Sequence, residues 1–368
     1  MAADPTLVEL ASELVRIDSI NPDLEPGAAG EGEVARFVAE WLRAAGLEVT
    51  IEDASPGRPN VIGVARGSGG GRSLMLNAHM DTVGVTGMEA PFDPVVRDGC
   101  LHGRGAGDMK SSLAAIMQVG AAAVRQGLRG DVIVTAVADE EVASVGTEAV
   151  VARWRADAAI VSEPTEEVVV IAHKGFVSFE ILTEGVAAHG SRPDLGIDAI
   201  AAMGPILSGI RTLDTTLQAG ERHPLLGTGS LHASVIEGGQ EYSSYPARCR
   251  LLGERRTIPG ESVADVRREL EELAAGTGAT VTTSLDRDPF QVDIEEPLVQ
   301  LVLAQTGADA PGGASFWAES ALLQAAGIPT VVYGPRVGGL HGLDEWVDLS
   351  SLERCRDVYL AVATEFCG

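Results

Sequence analysis

Cysteine is scarce. Cys100, Cys249, Cys355 and Cys367 are the only four in 368 residues, and no two form a CxxC pair. They carry no sign of a disulfide framework, and the expectation is reduced thiols in a cytoplasmic protein. No run of about 18 apolar residues occurs, so no membrane-spanning helix is expected. The opening Met-Ala-Ala-Asp-Pro has no basic start followed by an apolar stretch, so no signal peptide is expected. Basic residues are outnumbered, 27 against 53 acidic ones, for a formal net charge of −26. No basic stripe is present, which argues against nucleic acid and other anionic macromolecules as partners. Internal repeats and low-complexity tracts are also missing.

What is present is enough apolar sequence, 45% of the chain, for a sizeable core, over a length that suggests two domains. The first half alternates helical and strand patterns. Spacing predicts helices at Pro5–Ile17, Glu31–Ala45, Ser111–Gln126 and Val145–Arg155. Strands are expected at Glu48–Asp53, Asn60–Arg66, Ser73–Ala78, Asp131–Ala138 and Ala158–Val161. Such alternation implies an α/β layer on a mixed, mostly parallel sheet flanked by helices. From Phe176 the rhythm becomes strand, helix, strand, strand, helix, strand, a small α+β unit. After about Pro289 the αβα rhythm returns. The expected division is residues 1–175 and 291–368 as one domain and 176–290 as a unit inserted into it.

Several chemically capable residues fall at strand ends, where α/β sheets gather functional groups. His79 and Asp81 follow the apolar Leu74-Met75-Leu76; one can ligate a metal while the other orients the imidazole. The loop Gly103–Lys110 can press Asp108 into a tight site at a helix start, but lacks the GxxxxGK[ST] spacing of a phosphate loop. Asp139-Glu140-Glu141 places three carboxylates after a buried strand, where a cation would offset their repulsion or one could act as base. Glu163 follows another strand, and His341 lies in the glycine-rich loop Gly338–Glu345. Two histidines with several carboxylates and no thiolate suit zinc, cobalt or manganese, and two ions close together need about this inventory.

Asn77-Ala78-His79-Met80-Asp81, Gly103–Lys110, Asp139-Glu140-Glu141, Ser162-Glu163-Pro164-Thr165 and His341–Glu345 occur in an order that resembles one family. It is the family of acetylornithine deacetylase, succinyl-diaminopimelate desuccinylase, aminoacylase and carboxypeptidase G, and the resemblance spans nearly the whole chain. It implies two divalent metal ions, Zn2+ first and Co2+ or Mn2+ as substitutes, on a zinc-peptidase-like catalytic domain. By that resemblance Asp108 bridges the ions, His79 and Glu163 complete one site, and Glu141 and His341 the other. Asp81 orients His79, and Glu140 is the general base. One departure is Ser111-Ser112 after Lys110, where many members have glycine; serine can still start a helix.

The inserted unit then corresponds to the family's lid, a ferredoxin-like domain that commonly dimerises. Within it Ala188–Pro193 resembles the segment whose histidine, here His189, approaches substrate, often from the partner subunit. Arg255–Glu261 resembles the segment with a carboxylate-binding arginine, for which Arg256 is expected, three residues before Pro259. His102, His173, His223 and His232 match no ligand position. The expected activity is hydrolysis of a small amide such as an N-acyl amino acid by a homodimer. A dipeptidase or glutamate-releasing carboxypeptidase is the alternative within enzymes. A catalytically silent, metal-stabilised binding protein is the alternative outside them, although Glu140, a base that ligates nothing, speaks against it.

Overall fold

The computed structural model describes residues 5–368; the residues before them, which bear on the expectation about a signal peptide, lie outside that range. The chain divides into a larger compact unit of residues 5–171, 292–312 and 318–368 and a smaller one of 172–291 and 313–317. The return at 313–317 belongs to the smaller unit, although the expected division had left it in the last segment.

In the larger unit four apolar strands lie parallel in the order Val132–Val137, Leu74–His79, Ala158–Val161 and Thr330–Val332. All four are buried along their length, which explains their continuous runs of Val, Ile, Leu and Ala. Arg58–Ala65 and Glu48–Ser55 extend the sheet antiparallel beyond Val132–Val137, and Val170 continues it antiparallel beyond Thr330–Val332. The mixed, mostly parallel sheet flanked by helices is thus the one expected. Burial of Leu74, Met75 and Leu76 stabilises the core by about 1.5–3 kcal/mol for each side chain.

The helix Lys110–Gln126 packs against Pro5–Arg16, Leu349–Cys367 and the strand Leu74–His79. Its alanine content lets it approach this closely. At Gly120 even a Cβ would come within 2.8 Å of Val134 Cγ2. Because the four central strands are parallel, the turns after His79, Val137 and Val161 leave the sheet on one side.

A second, small antiparallel sheet in this unit runs Val337–Gly338, Trp346–Asp348, Cys100–His102, Val95–Arg97. Trp346 pairs with His102, so the loop that carries Asp108 and the loop that carries His341 leave adjacent strands. This sheet was not expected from the sequence. Its strands are two or three residues long and leave no room for an alternating pattern.

The smaller unit holds a four-stranded antiparallel sheet in the order Ser230–Gly238, Arg248–Thr257, Gly175–Glu184, Thr280–Arg287. Val177, Phe179, Ile181 and Leu251 face a core shared with Met203, Ile206 and Ile210 of the helix Ala199–Ala219 and Val266 and Leu270 of the helix Val263–Ala274. Ser262 and Asp265 cap the second helix reciprocally. The connectivity and strand order are those of a ferredoxin-like unit.

Candidate metal centre

Asp108, at the end of a glycine-rich loop, is gripped from behind. Gly107 and Asp108 donate their backbone N–H groups to Glu345 Oε1 at 2.8 and 3.0 Å, and Glu345 Oε2 takes Arg104 Nη1 at 2.5 Å. Gly105 makes the preceding bend at φ +80°, where a Cβ would lie 2.9 Å from both Thr82 and Lys110. So held, Asp108 offers one oxygen to each histidine. His79 Nε2 lies 2.9 Å from Oδ1, and His341 Nε2 lies 3.5 Å from Oδ2.

Each histidine meets a second carboxylate. His79 Nε2 is 3.6 Å from Glu163 Oε1, and His341 Nε2 is 3.4 Å from Glu141 Oε2. His79, Asp108 and Glu141 form one compact donor group, and His79, Glu140 and Glu163 form another. His79 Nδ1 lies 3.0 Å from the backbone carbonyl of Asp81. A carbonyl only accepts, so Nδ1 carries the proton and Nε2 is the nitrogen left for a cation.

Asp81 lies against the His79 ring, its backbone oxygen 3.0 Å and its carboxylate 3.6 Å from Nδ1. The carboxylate also accepts the backbone N–H groups of Glu140 and Glu141 at 3.1 and 3.2 Å and the Asn21 amide at 2.8 Å. It therefore holds the acidic turn in place.

The cluster is dense in carboxylates and largely buried. Burial, then the Glu163 charge, pushes the Glu140 carboxyl well above the usual carboxylate range. Burial and Asp108 do the same to Glu163, and burial also raises Glu141. Burial opposes protonation of His79, but Asp108, Glu163 and Asp81 override it and raise the imidazole well above its ordinary value. Hydrogen bonds to Asp108 and Glu141 raise His341 to about 10. Asp108 moves the other way: burial would raise it, but the hydrogen bonds from His341 and His79 win and lower it.

Protons thus take the place that cations fit. Two ligand atoms about 2.0–2.1 Å from one tetrahedral zinc ion lie about 3.3 Å apart. The imidazole-to-carboxylate separations here run from 2.9 to 3.6 Å. Glu163 Oε1, moreover, is a buried acceptor to which no group among the described residues donates a hydrogen bond. Residues present and group implied agree.

The residues brought together are His79, Asp81, Asp108, Glu140, Glu141, Glu163 and His341, all in the larger unit. His189 and Arg256 belong to the smaller one. His189 is exposed, its Nδ1 2.8 Å from Ser191 Oγ. Arg256 donates to Glu254 at 2.6 Å and lies over the Phe176 ring at 5.4 Å. Arg255, next to it, points into the core and is bound to Glu261 and Glu269, which leaves it a structural task.

Sequence reasoning missed Asn21, Glu31, Arg58, Arg104 and Glu319, and gave Glu345 no task. Glu319 is a fully buried carboxyl that accepts from Asn77 at 2.8 Å and is raised by burial to about 7. Only Glu345 carried a signal, since it stands in the same short loop as His341.

A family model for peptidase family M20/M25/M40 matches residues 75–365. The chain is 31% identical to an acetylornithine deacetylase of Myxococcus xanthus over 99% of this chain and 98% of that protein. It is 27% identical to an N-formyl-4-amino-5-aminomethyl-2-methylpyrimidine deformylase of Halalkalibacterium halodurans, over 94% and 92%. Among solved structures, a tripeptidase of Staphylococcus aureus superposes with a TM-score of 0.83 at 20% identity, covering 98% of both chains. An M20 family metallo-carboxypeptidase of Sulfolobus solfataricus gives 0.80 at 16%, covering 99% of both.

Proposed function

The chain belongs to peptidase family M20/M25/M40, whose members here are metal-dependent amidohydrolases, and from that premise we propose that it deacylates N-acyl amino acids with two zinc ions. The carrying observation is that His79 and His341 approach opposite oxygens of Asp108, each with its own further carboxylate. His79, Asp108 and Glu163 would hold one ion, and Asp108, Glu141 and His341 the other. When bound, the ions supply Lewis-acid polarisation of the scissile carbonyl and a lowered pKa for the attacking water.

Glu140 does the proton work. It ligates nothing in this assignment, and its buried carboxyl, raised by desolvation and by the neighbouring Glu163, suits a group that takes a proton and returns it. It accepts the proton of the water that attacks the amide carbon. As the C–N bond breaks it passes that proton to the nitrogen, so one amide and one water become a carboxylic acid and an amine, which leave as carboxylate and ammonium once the acid's proton moves to the amine. Asp81 fixes the turn that presents Glu140. His189 is assigned to the developing oxyanion, reaching it from the partner subunit of a homodimer. The planar donor fork of Arg256 is assigned to the free carboxylate of the amino acid. A cytoplasmic setting is supported by the four free thiols, three of them buried. No helix among the described residues is long and apolar enough to cross a membrane.

The test is metal-loaded protein on a panel of N-acyl amino acids, the matching N-acyl carboxamides, and dipeptides. Amine release from the acyl amino acids, and much less from the carboxamides, is expected. Turnover of dipeptides alone would make the enzyme a peptidase. Silence on the whole panel with two metal equivalents bound would leave the binding-protein reading. Arg256→Lys should lower kcat/KM for the acyl amino acids more than for the carboxamides; equal losses would remove Arg256 from carboxylate recognition.

A further inference from the structure

A second cluster of buried charge sits behind the acidic turn. Arg58, 7% exposed, donates from Nε and Nη2 to both oxygens of the fully buried Glu31 at 2.8 and 2.6 Å. Its Nη1 donates to Asp23 at 2.6 Å, and its Nη2 also donates to Asp139 Oδ1 at 3.0 Å. Glu31 Oε1 accepts in addition the backbone N–H of Asp139 at 3.2 Å. Asn21 closes the network: its Nδ2 donates to Asp139 Oδ1 at 3.0 Å and to Asp81 Oδ2 at 2.8 Å.

Three of these bonds, from Arg58, from Asn21 and to Glu31, meet on the residue that begins the turn, Asp139. Asp139 has φ +68°, a left-handed conformation uncommon for a residue other than glycine. Such a conformation persists only where the surroundings over-determine it. Here a rigid guanidinium fork, a buried carboxylate and an amide grip its side chain and its N–H together. With Asp139 pulled back towards Arg58, the chain turns, and the next two side chains are those assigned as base and ligand.

We infer that Arg58, with Glu31 and Asn21, is a positioning clamp for the turn Asp139-Glu140-Glu141, setting where the base and one metal ligand lie without touching either. This rests on the assignment of Glu140 and Glu141 above. Removal of Arg58 alone strands the buried charge of Glu31, which endangers the fold. The informative variant is therefore the double substitution Arg58→Met with Glu31→Gln, which removes both charges at similar volume.

The experiment titrates metal-free protein with cobalt(II), followed by its visible absorption. Melting temperature is recorded alongside, and kcat and KM are measured on cobalt-saturated enzyme. The double variant should bind one of its two cobalt equivalents about tenfold more weakly, the scale of a lost outer-shell partner. Its kcat should fall about 100-fold, as for a base displaced by about 1 Å, while KM stays within about twofold. Arg58→Lys keeps the charge without the fork and should recover cobalt affinity more than kcat. Should the double variant fail to fold, Asn21→Leu leaves the Arg58–Glu31 pair intact and should shift the same equivalent and kcat to a smaller extent.

A folded double variant with wild-type cobalt binding and kcat would overturn the clamp. So would a loss of activity that merely tracks the unfolded fraction. The cobalt titration needs no substrate, so a wild-type protein inactive on every N-acyl amino acid would sink the proposed reaction and still leave the clamp to be decided.

Discussion

Glu140 and Glu141 are adjacent in the chain and assigned to different tasks, and substitution separates them. Glu140→Ala should keep two metal equivalents by elemental analysis and slow turnover by roughly 10²–10⁴, the contribution of a positioned base. Glu141→Ala should lose one metal equivalent at limiting metal concentration. A Glu140→Ala enzyme with near-native kcat would remove it as the base. The ligand candidates were legible in the sequence because each is a distinctive residue type just beyond an apolar strand or in a glycine-rich loop. The residues behind them were not. Asn21, Glu31 and Arg58 come from three separate segments, and each alone reads as an ordinary polar residue; only their convergence on Asp139 within hydrogen-bond distance gives them a task. Asp81 shows the finer limit: its place near His79 was readable, but not that its backbone carbonyl takes the ring while its side chain takes the turn.

At the level of elements, the parallel strands were readable as continuous apolar runs, and their helices were long enough for periodicity to show. The two-residue strand Val337–Gly338 was not, although its sheet aligns the Asp108 and His341 loops. The edge strand Ser230–Gly238 of the smaller unit raises a separate matter. One of its sides has no paired strand among the described residues, and it exposes Val235 and Ile236. An exposed apolar edge of this kind is a template for pairing with a second chain. Light scattering on the wild-type protein should give a dimer, and Val235→Lys with Ile236→Glu should shift it to monomer. If the assignment of His189 across that interface holds, mixing His189→Ala subunits with Glu140→Ala subunits should restore part of the activity, since one composite site becomes whole. A wild-type monomer with full activity would refute both.

For the whole molecule, the metal-free protein carries an unusual proton inventory. Burial pushes Glu140 and Glu163 well above the ordinary carboxylate range and Glu319 to about 7, and hydrogen bonds to Asp108 and Glu141 push His341 up to about 10. All four bind protons more tightly folded than unfolded. Between pH 5 and 7 the unfolded chain releases protons that the native one keeps, so stability falls as pH rises. Lys110, lowered by burial to about 7, acts in the opposite sense only above that window. Calorimetry of the metal-free protein should therefore show a melting temperature roughly 5 °C or more lower at pH 7 than at pH 5, with a flatter profile once metal is loaded. A rising profile over that range without metal would contradict the charge balance described. The interrupted course of the larger unit also sets a timetable. A ribosome adds roughly 5–20 residues per second, so His341 is made more than ten seconds after His79. The whole continuous stretch 172–291 of the smaller unit is synthesised in that interval. The inserted body can finish folding while its host still waits for a strand and a candidate ligand, so the full set of candidate metal ligands is not assembled until translation is almost over.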